Sequence, residues 1–401
     1  MPSARLTLHR LFPAAAFYFF FNAAGLPSGL FFTTLLSPFL YVWLYCKGQR
    51  WLTLKFLLAF SPFLAAHLIQ GIDSRVYYAR SLLLLWTVFI ATYAICWTLS
   101  KTARAERLFD QLIAANFIAT GIACLAFPTP LGEVLWTQDT GTFSGGSAIL
   151  RLKLFGVEPS AYAYMMMPLL VFASMRLFQK PNPRSLLYFL MIVIPLLLTQ
   201  SFGGISIGIA AVGISLLVTN PRFFKRAGSL AALCFCLIFL VGLMVTHNPI
   251  SQRVFQVASG GDSSTRSRTL LAFILAYAVA STRSLVWGAG LGQVKLFDFS
   301  SLNLGIDTSV IPNSIAANFA ELGAVGVVTK LAVEGWLFFK TRVYRDGFRL
   351  ACFIVGFIFQ FTGGYIMNVQ EYMLWFFAFW PSVIDPAVFT RTKTNDAGLA
   401  E

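Results

Sequence analysis

Long apolar segments separated by short polar stretches run along the chain, and this pattern sets the predicted fold class. The apolar segments that predict membrane-spanning helices are residues 11–26, 28–46, 52–70, 80–99, 108–127, 158–177, 185–200, 203–219, 228–247, 313–338, 349–367 and 372–390. Lipid hydrocarbon offers no hydrogen-bonding partner, so such a chain must cross the bilayer as helices whose backbone hydrogen bonds close internally. The sequence therefore predicts an all-α polytopic membrane protein of about twelve transmembrane helices, with residues 1–401 forming a single integral membrane domain.

Composition agrees with this class, and the charged residues give the orientation. The chain is 57% hydrophobic and only 11% charged, whereas soluble proteins average about 25% charged residues. Its net charge of +14 comes mostly from short loops on one side of the predicted helices: Lys47, Arg50, Lys101, Arg104, Arg107, Arg176, Lys180, Arg184, Arg222, Lys225, Arg226, Lys340, Arg342, Arg345 and Arg349. Such loops face the cytoplasm. Both termini are therefore expected in the cytoplasm, and the charge does not indicate nucleic-acid binding.

One polar stretch, residues 248–312, is far longer than the others and falls on the opposite, outward side. Residues 262–264 can cap a helix over about 265–282 within it. The apolar part of that helix, residues 269–280, would be about 18 Å long, which is short of the ~30 Å hydrocarbon core. We expect this helix to lie along the outer interface or to cap the bundle. A pair of extra spanning segments within the loop is the alternative.

The first outward cluster of polar residues contains Arg151, Lys153 and Glu158, followed by Pro159 at a predicted helix start. A guanidinium group suits a pyrophosphate because it offers two parallel donors and keeps its charge. The functional interpretation is that the two basic residues hold an anionic head group, with Glu158 nearby as a base. The alternative is a charged loop that anchors the helix.

The second cluster combines Arg266 and Arg268 with a glycine-rich turn at residues 284–292. Glycine-rich turns allow close approach of the backbone to a phosphate, although such a turn alone is weak evidence. Arginines bound to anionic lipid are the structural alternative. No Gly-Lys-Ser/Thr phosphate loop occurs in the sequence, so ATP hydrolysis is not indicated.

The third cluster is Asn313-Ser314, followed by Glu321 on the next predicted span. Asn313 or Ser314 can cap that helix. An unpaired carboxylate two turns into a membrane helix is costly, so Glu321 should pair, face a wet cavity or carry a proton. Glu334 lies four residues after Lys330, which predicts an ion pair within one helix and no catalytic role.

No cofactor is predicted. The three histidines, His9, His67 and His247, do not cluster in the sequence, so no metal site is indicated. All six cysteines lie within apolar segments, where they are expected to act as small buried hydrophobic residues: Cys46, Cys96, Cys124, Cys234, Cys236 and Cys352.

The order of these motifs resembles the O-antigen polymerase and ligase superfamily over about residues 150–330. The similar elements are R-L-K-L-F-G-V-E-P-S at 151–160, S-F-G-G at 201–204, the long outer loop with its arginines and W-G-A-G-L-G, and P-N-S with E-L-G-A-V-G at 312–326. The resemblance implies a metal-independent glycosyltransferase. Its substrate would be an undecaprenyl-pyrophosphate-linked oligosaccharide outside the bacterial inner membrane, with a polysaccharide chain-length regulator as an expected partner.

Carried over to this sequence, the resemblance makes Glu158, Arg268 and Glu321 the catalytic residues. Substrate-binding roles would fall to the following residues: Arg151, Lys153, Arg266 and Asn313. Two positions depart from the family pattern. Ligases typically carry a histidine near the position of Asn313, and many members have Ser-Arg where this chain has Ser201-Phe202.

The missing histidine favours a polymerase of O-antigen or exopolysaccharide repeats over a ligase that transfers the glycan to lipid A-core or protein. A flippase or transporter for the same lipid-linked sugar is the alternative from another class. Transporters usually contain two similar halves, and this sequence has no recognisable internal repeat.

Overall fold

The computed structural model describes residues 25–26, 30–100, 105–139, 149–219, 268–299, 311–364, 367 and 369–381, and these are mostly helical. The helices are α1 (Phe32–Cys46), α2 (Leu52–Gln70), α3 (Arg75–Ser100), α4 (Ala105–Leu125), α5 (Pro130–Leu135), α6 (Pro159–Met165), α7 (Met167–Gln179), α8 (Pro183–Leu198), α9 (Phe202–Thr219), α10 (Leu270–Ser281), α11 (Ser314–Lys340), α12 (Gly347–Thr362) and α13 (Val369–Phe379). Two small antiparallel hairpins pair β1 (Gly25–Leu26) with β2 (Leu30–Phe31), and β3 (Trp136–Asp139) with β4 (Ile149–Leu152).

Within the described residues, four helices are long and apolar enough to cross a membrane, namely α2, α3, α4 and α11. A fifth span results if α6 and α7, which are bent by 47° relative to each other, count as one. Five shorter apolar helices accompany them: α1, α8, α9, α10 and α12. The all-α membrane class is thus confirmed, while the number of twelve spans stays a prediction. Of the predicted span at 11–26 only residues 25–26 are described, and they form β1. The predicted span at 228–247 lies outside the described residues.

Two spans that the sequence predicted as single helices are broken, so those predictions were wrong in detail. The predicted span 158–177 divides into α6 and α7 at Met166. Proline at 168 has no backbone N–H, so the chain cannot continue an unbroken ladder of hydrogen bonds through this point. The predicted span 313–338 is α11, which is interrupted at Gly323. Helix α12 ends at Thr362, before the predicted end at 367.

The main hydrophobic core joins α3 and α4 to α6–α9, α12 and α13. Phe109 lies at its centre, with ring centroids 5.0 Å from Phe172 and 5.3 Å from Phe377. All three rings are buried. This core holds the carboxyl end of α12 and the amino ends of α6 and α13 in fixed positions.

A smaller core joins α10 to the first half of α11 through Ala272, Ala276, Ala316 and Ala320. Small side chains let two helices approach closely, which is a common packing mode inside membranes. Helix α10 is therefore docked along α11, and it covers a shorter range than the predicted 265–282. Residues 265–267 lie outside the described residues.

The break in α11 is filled by the glycine-rich segment that follows α10. The amides of Ala289 and Gly290 donate to the carbonyls of Ala320 and Glu321 at 2.8 and 3.0 Å. On the other side of the break, Ala324 N–H donates to the Leu285 carbonyl at 2.9 Å. These bonds satisfy backbone groups that an interrupted helix would otherwise leave without partners. The W-G-A-G-L-G and E-L-G-A-V-G motifs thus form one interlocked unit.

Candidate functional site

A polar pocket lies where the ends of several helices meet. Its walls come from the amino ends of α6 and α13, the residues before α10 and α11, and the turn after α12. The lining residues are Glu158, Ser160, Ala161, Tyr164, Arg268, Pro312, Phe359, Gly363, Gly364 and Gln370. Segments more than 100 residues apart in the chain therefore build one site, and they include two of the three predicted catalytic residues.

An ion pair between Glu158 and Arg268 is the chemical centre of the pocket. Arg268 Nη2 lies 3.4 Å from Glu158 Oε1 and 3.4 Å from the hydroxyl of Ser160. The Ser160 hydroxyl also donates a hydrogen bond to the same carboxylate oxygen. The Glu158 side chain is 45% exposed and that of Arg268 is 25% exposed. Both groups are consequently within reach of a bound molecule.

Local sequence explains why the Glu158 side chain is available. Glu158 is the N-cap residue of α6 with an extended backbone, and Pro159 occupies the first turn. Proline there needs no amide partner and has the dihedral angle that starts a helix. The Glu158 carboxylate forms no capping hydrogen bond with the helix. It can therefore extend to Arg268.

Asn313 caps α11, and its predicted substrate-binding role stays a prediction. Its side chain is buried, and its Oδ1 accepts from the Ala316 amide at 2.9 Å, which caps α11. Its Nδ2 donates to the carbonyls of Arg268 and Phe361 at 2.9 and 2.5 Å. Asn313 thus ties the backbone of Arg268 to the end of α12.

The two basic residues of the first cluster, Arg151 and Lys153, are not among the residues that line the pocket. Arg151 is on β4, where its Nε donates to the Thr199 carbonyl at 3.1 Å. Gln200 reinforces this contact by donating to the Leu150 carbonyl. Lys153 follows the same strand, and its amide donates to the Leu135 carbonyl. Their substrate-binding roles stay predictions, and Arg266 lies outside the described residues.

Glu321 lies in the break of α11 and is not one of the residues that line the pocket. Its Oε1 accepts a hydrogen bond from the Gly292 amide at 3.1 Å, and its Oε2 has no hydrogen-bond partner among the described residues. The glycine-rich turn that the sequence offered as a phosphate site therefore already binds a carboxylate of the protein itself. This hydrogen bond fixes the glycine-rich turn against α11.

Eight of the ten residues that line the pocket were not among the predicted site residues, and three of these eight shape its walls. Tyr164 stacks on Phe359 with ring centroids 3.8 Å apart and forms one wall. Gly364 and Gln370 come from the turn between α12 and α13. The Gly-Gly pair at 363–364 signals a turn between two apolar segments, but nothing in the local sequence indicates that this turn faces Glu158.

The chemistry available in the pocket is a fixed positive charge beside a carboxylate and a hydroxyl. A guanidinium can hold a phosphate or pyrophosphate group, and a carboxylate can accept a proton from a sugar hydroxyl. Among the described residues no group of three histidine, cysteine or acidic side chains could hold a metal ion.

Comparison with known proteins adds no relative. No protein-family model matches the chain, and no curated protein matches it in sequence.

Proposed function

We propose that this protein is a polysaccharide polymerase that joins undecaprenyl-pyrophosphate-linked oligosaccharide repeats at the outer face of a bacterial inner membrane. The observation that carries the proposal is the contact between Arg268 and Glu158 in a pocket formed by helix ends. An anion-binding group and a proton acceptor are what this transfer requires. They come from two motifs that the sequence resemblance had already marked.

The reaction transfers the glycan of one lipid-linked repeat to a hydroxyl of another. Arg268 stabilises the negative charge that develops on the pyrophosphate as the bond from the anomeric carbon to the pyrophosphate oxygen breaks. The acceptor hydroxyl forms the new bond to that carbon, and its proton passes to the Glu158 carboxylate. Undecaprenyl pyrophosphate is the leaving group, so the donor linkage itself supplies the energy.

The contact between Arg268 and Glu158 also suggests how the two side chains are positioned before the substrate binds. Without substrate, the guanidinium and the carboxylate neutralise each other. A pyrophosphate bound to Arg268 competes for its donors, which leaves the carboxylate a better proton acceptor. The Ser160 hydroxyl, which donates to the same carboxylate, holds Glu158 in place during this exchange.

The predicted topology agrees with an outward-facing site. The pocket residues Glu158, Gly363 and Gln370 lie at helix ends that loop charges assign to the outer side. In this proposal the protein has about twelve spans, cytoplasmic termini and a long periplasmic loop. Its partners are the bilayer, the lipid-linked oligosaccharide and a chain-length regulator.

The test is a deletion strain of the source bacterium, complemented with the wild-type gene as a control. Surface glycans are separated on a denaturing gel beside an extract of lipid-linked sugars. Loss of long polymer with single repeats still transferred to the surface supports the polymerase. Full-length polymer stranded on the lipid carrier would establish a ligase instead, and unpolymerised repeats trapped inside the cell would establish a flippase.

A further inference from the structure

A buried ionic network of Lys330, Glu334 and Glu371 lies next to the pocket. Lys330 Nζ contacts Glu371 Oε1 closely and lies 3.1 Å from Glu334 Oε1. Gln360 Nε2 donates to Glu334 Oε2 at 3.0 Å, and Trp375 Nε1 lies 3.4 Å from Glu371 Oε1. The i,i+4 pair that the sequence predicted is therefore only part of the network.

The charges in this network do not balance. Two carboxylates surround one ammonium group, so the fully ionised network carries one net negative charge. The side chains are 17%, 7% and 2% exposed for Lys330, Glu334 and Glu371. A net charge at such a position costs several kcal/mol because water cannot solvate it. One additional proton makes the network neutral.

Two buried oxygen atoms of this region have no hydrogen-bond donor among the described residues. Glu371 Oε2 is buried and has no hydrogen-bond partner among the described residues, whereas both oxygens of Glu334 are engaged. Gln360 Oε1 is a second buried acceptor for which the described residues supply no donor. Buried acceptors in proteins are normally satisfied. A proton held by the network supplies a donor where the described residues supply none.

The unpartnered oxygen lies against the wall of the pocket. A Cβ atom on Gly364 would lie 3.2 Å from Glu371 Oε2, and Gly364 is a lining residue. Gln370, the neighbour of Glu371 in the chain, also lines the pocket. On the neighbouring residue Gly363, a Cβ atom would lie 3.9 Å from Arg268 Nη1. The charge of the network therefore acts across this turn on an anion that binds to Arg268.

We propose that the network of Lys330, Glu334 and Glu371 holds one exchangeable proton, shared by its two carboxylates, and that this proton couples anion binding in the pocket to pH. The protonated network is neutral and accepts an anion beside Gly364. The deprotonated network is negative and repels it. The groups that surround Glu371 are Lys330 and Glu334 from α11, Gln360 from α12, and Tyr372 and Trp375 from α13. Helix α3, which also packs on α13, contributes Val88 and Ala91 to the shared core.

Infrared spectroscopy of the purified full chain in lipid nanodiscs tests the proton directly and requires no activity. The measurements use Glu321→Gln as the background, because Glu321 Oε2 is also buried without a hydrogen-bond partner among the described residues. In this background the protein should show the C=O stretching band of a buried carboxylic acid at neutral pH. Adding Glu371→Gln or Glu334→Gln leaves one carboxylate for one ammonium group, so either double variant should lose the band. A band that persists in either double variant, or a background protein without one, would overturn the proposal.

The coupling is tested by the binding of inorganic pyrophosphate, measured by calorimetry in metal-free buffer over a series of pH values. This part rests on the proposed function, since it assumes an anion site at Arg268. Wild-type affinity should fall by roughly five-fold or more as the pH rises, the lower end of typical couplings between two sites. Affinity of Glu371→Gln, compared at each pH, should not show this fall. Equal pH dependence in both proteins would overturn the coupling. Absence of pyrophosphate binding at every pH would instead count against the proposed function, and the infrared result would still decide the proton site.

Discussion

The backbones of Gly288 and Gly323 are in direct contact, which leaves no space for a side chain on either residue. A Cβ atom on Gly288 would lie 2.6 Å from the backbone nitrogen of Gly323, and one on Gly323 would lie 2.5 Å from the nitrogen of Gly288. Both residues have positive φ angles, 78° and 68°. This contact places the segment after α10 in the break of α11. The two glycines therefore join the segment that begins at Arg268 to the helix that carries Lys330.

Replacing either glycine with alanine should destabilise the fold. The left-handed conformation alone costs a residue with a Cβ roughly 1–2 kcal/mol, and the collision with the opposite backbone adds to this cost. Thermal unfolding of the purified protein in detergent should therefore show a lower midpoint for Gly288→Ala and Gly323→Ala. Gly335→Ala, on α11 with no atom within 4 Å of its added Cβ, is the matched control and should be unchanged or slightly more stable. Similar midpoints for all three variants would contradict the close contact.

Arg268→Ala should abolish long polymer while leaving the amount of protein in the membrane unchanged. The guanidinium is the positive charge that contacts Glu158 in the pocket, and none of the other described residues that line the pocket is basic. Arg268→Lys should retain part of the activity, because it keeps the charge and loses the bidentate geometry. The measurement is the glycan pattern of the complemented deletion strain. Arg75→Ala, an exposed arginine at the start of α3, is the control, and full-length polymer from Arg268→Ala would refute the assignment.

Glu158→Gln should lower the rate of transfer and leave the fold intact. The amide keeps the size of the carboxylate and cannot accept the proton of the acceptor hydroxyl, so a loss of about 10²- to 10⁴-fold is expected for a general base. Incorporation of lipid-linked repeats into polymer by purified protein measures the rate. Glu133→Gln removes an exposed carboxylate of α5 and should have the wild-type rate. A Glu158→Gln rate within about ten-fold of wild type would exclude Glu158 as the base.

Asn313→Ala should reduce stability more than loss of an ordinary helix cap does. The change removes the cap of α11 and leaves the carbonyls of Arg268 and Phe361 without their donor. A cap contributes about 1 kcal/mol, and each buried group left without a partner costs about 1–3 kcal/mol. Asn182→Ala removes only the cap of α8 and is the comparison in a thermal unfolding assay. If Asn313→Ala leaves the stability unchanged and weakens substrate binding, the result supports the predicted substrate-binding role of Asn313.

Lys330→Met should destabilise the protein strongly. It leaves Glu334 and Glu371 buried without the ammonium group that both contact, and removal of one partner from a buried ion pair costs about 3–5 kcal/mol. Thermal unfolding should show the effect, and addition of Glu371→Gln should recover part of the loss. Lys340→Met at the exposed end of the same helix should change the midpoint little. Equal stability of the two lysine variants would show that the network contributes nothing to folding.

Local patterns were sufficient for several features of the site. Pro159 after Glu158 predicted a helix start, and α6 begins at Pro159. The spacing of Lys330 and Glu334 predicted an ion pair, and these side chains lie 3.1 Å apart. Both features depend on residues within four positions of each other, where the helix geometry alone fixes the distance.

The contacts of Asn313 and Glu321 illustrate what such patterns miss. Both residues were predicted to act on the substrate because of their place in motifs, and those roles stay predictions. The structure engages Asn313 with Arg268 and Phe361, and Glu321 with Gly292. These partners are 29 to 48 residues distant in the chain, and nothing in the local sequence specifies how an intervening loop folds back.

The all-α membrane class could be predicted from the amino-acid pattern alone, because the length and apolarity of a segment decide whether it can form a helix across hydrocarbon. The pattern also indicated Glu158 and Arg268 as candidate site residues. The folded chain was needed to show that these two residues share a pocket, that α11 is broken at Gly323, and that Glu371 joins Lys330 and Glu334. Those outcomes depend on which helix ends meet and which backbones touch, and packing between distant segments sets both.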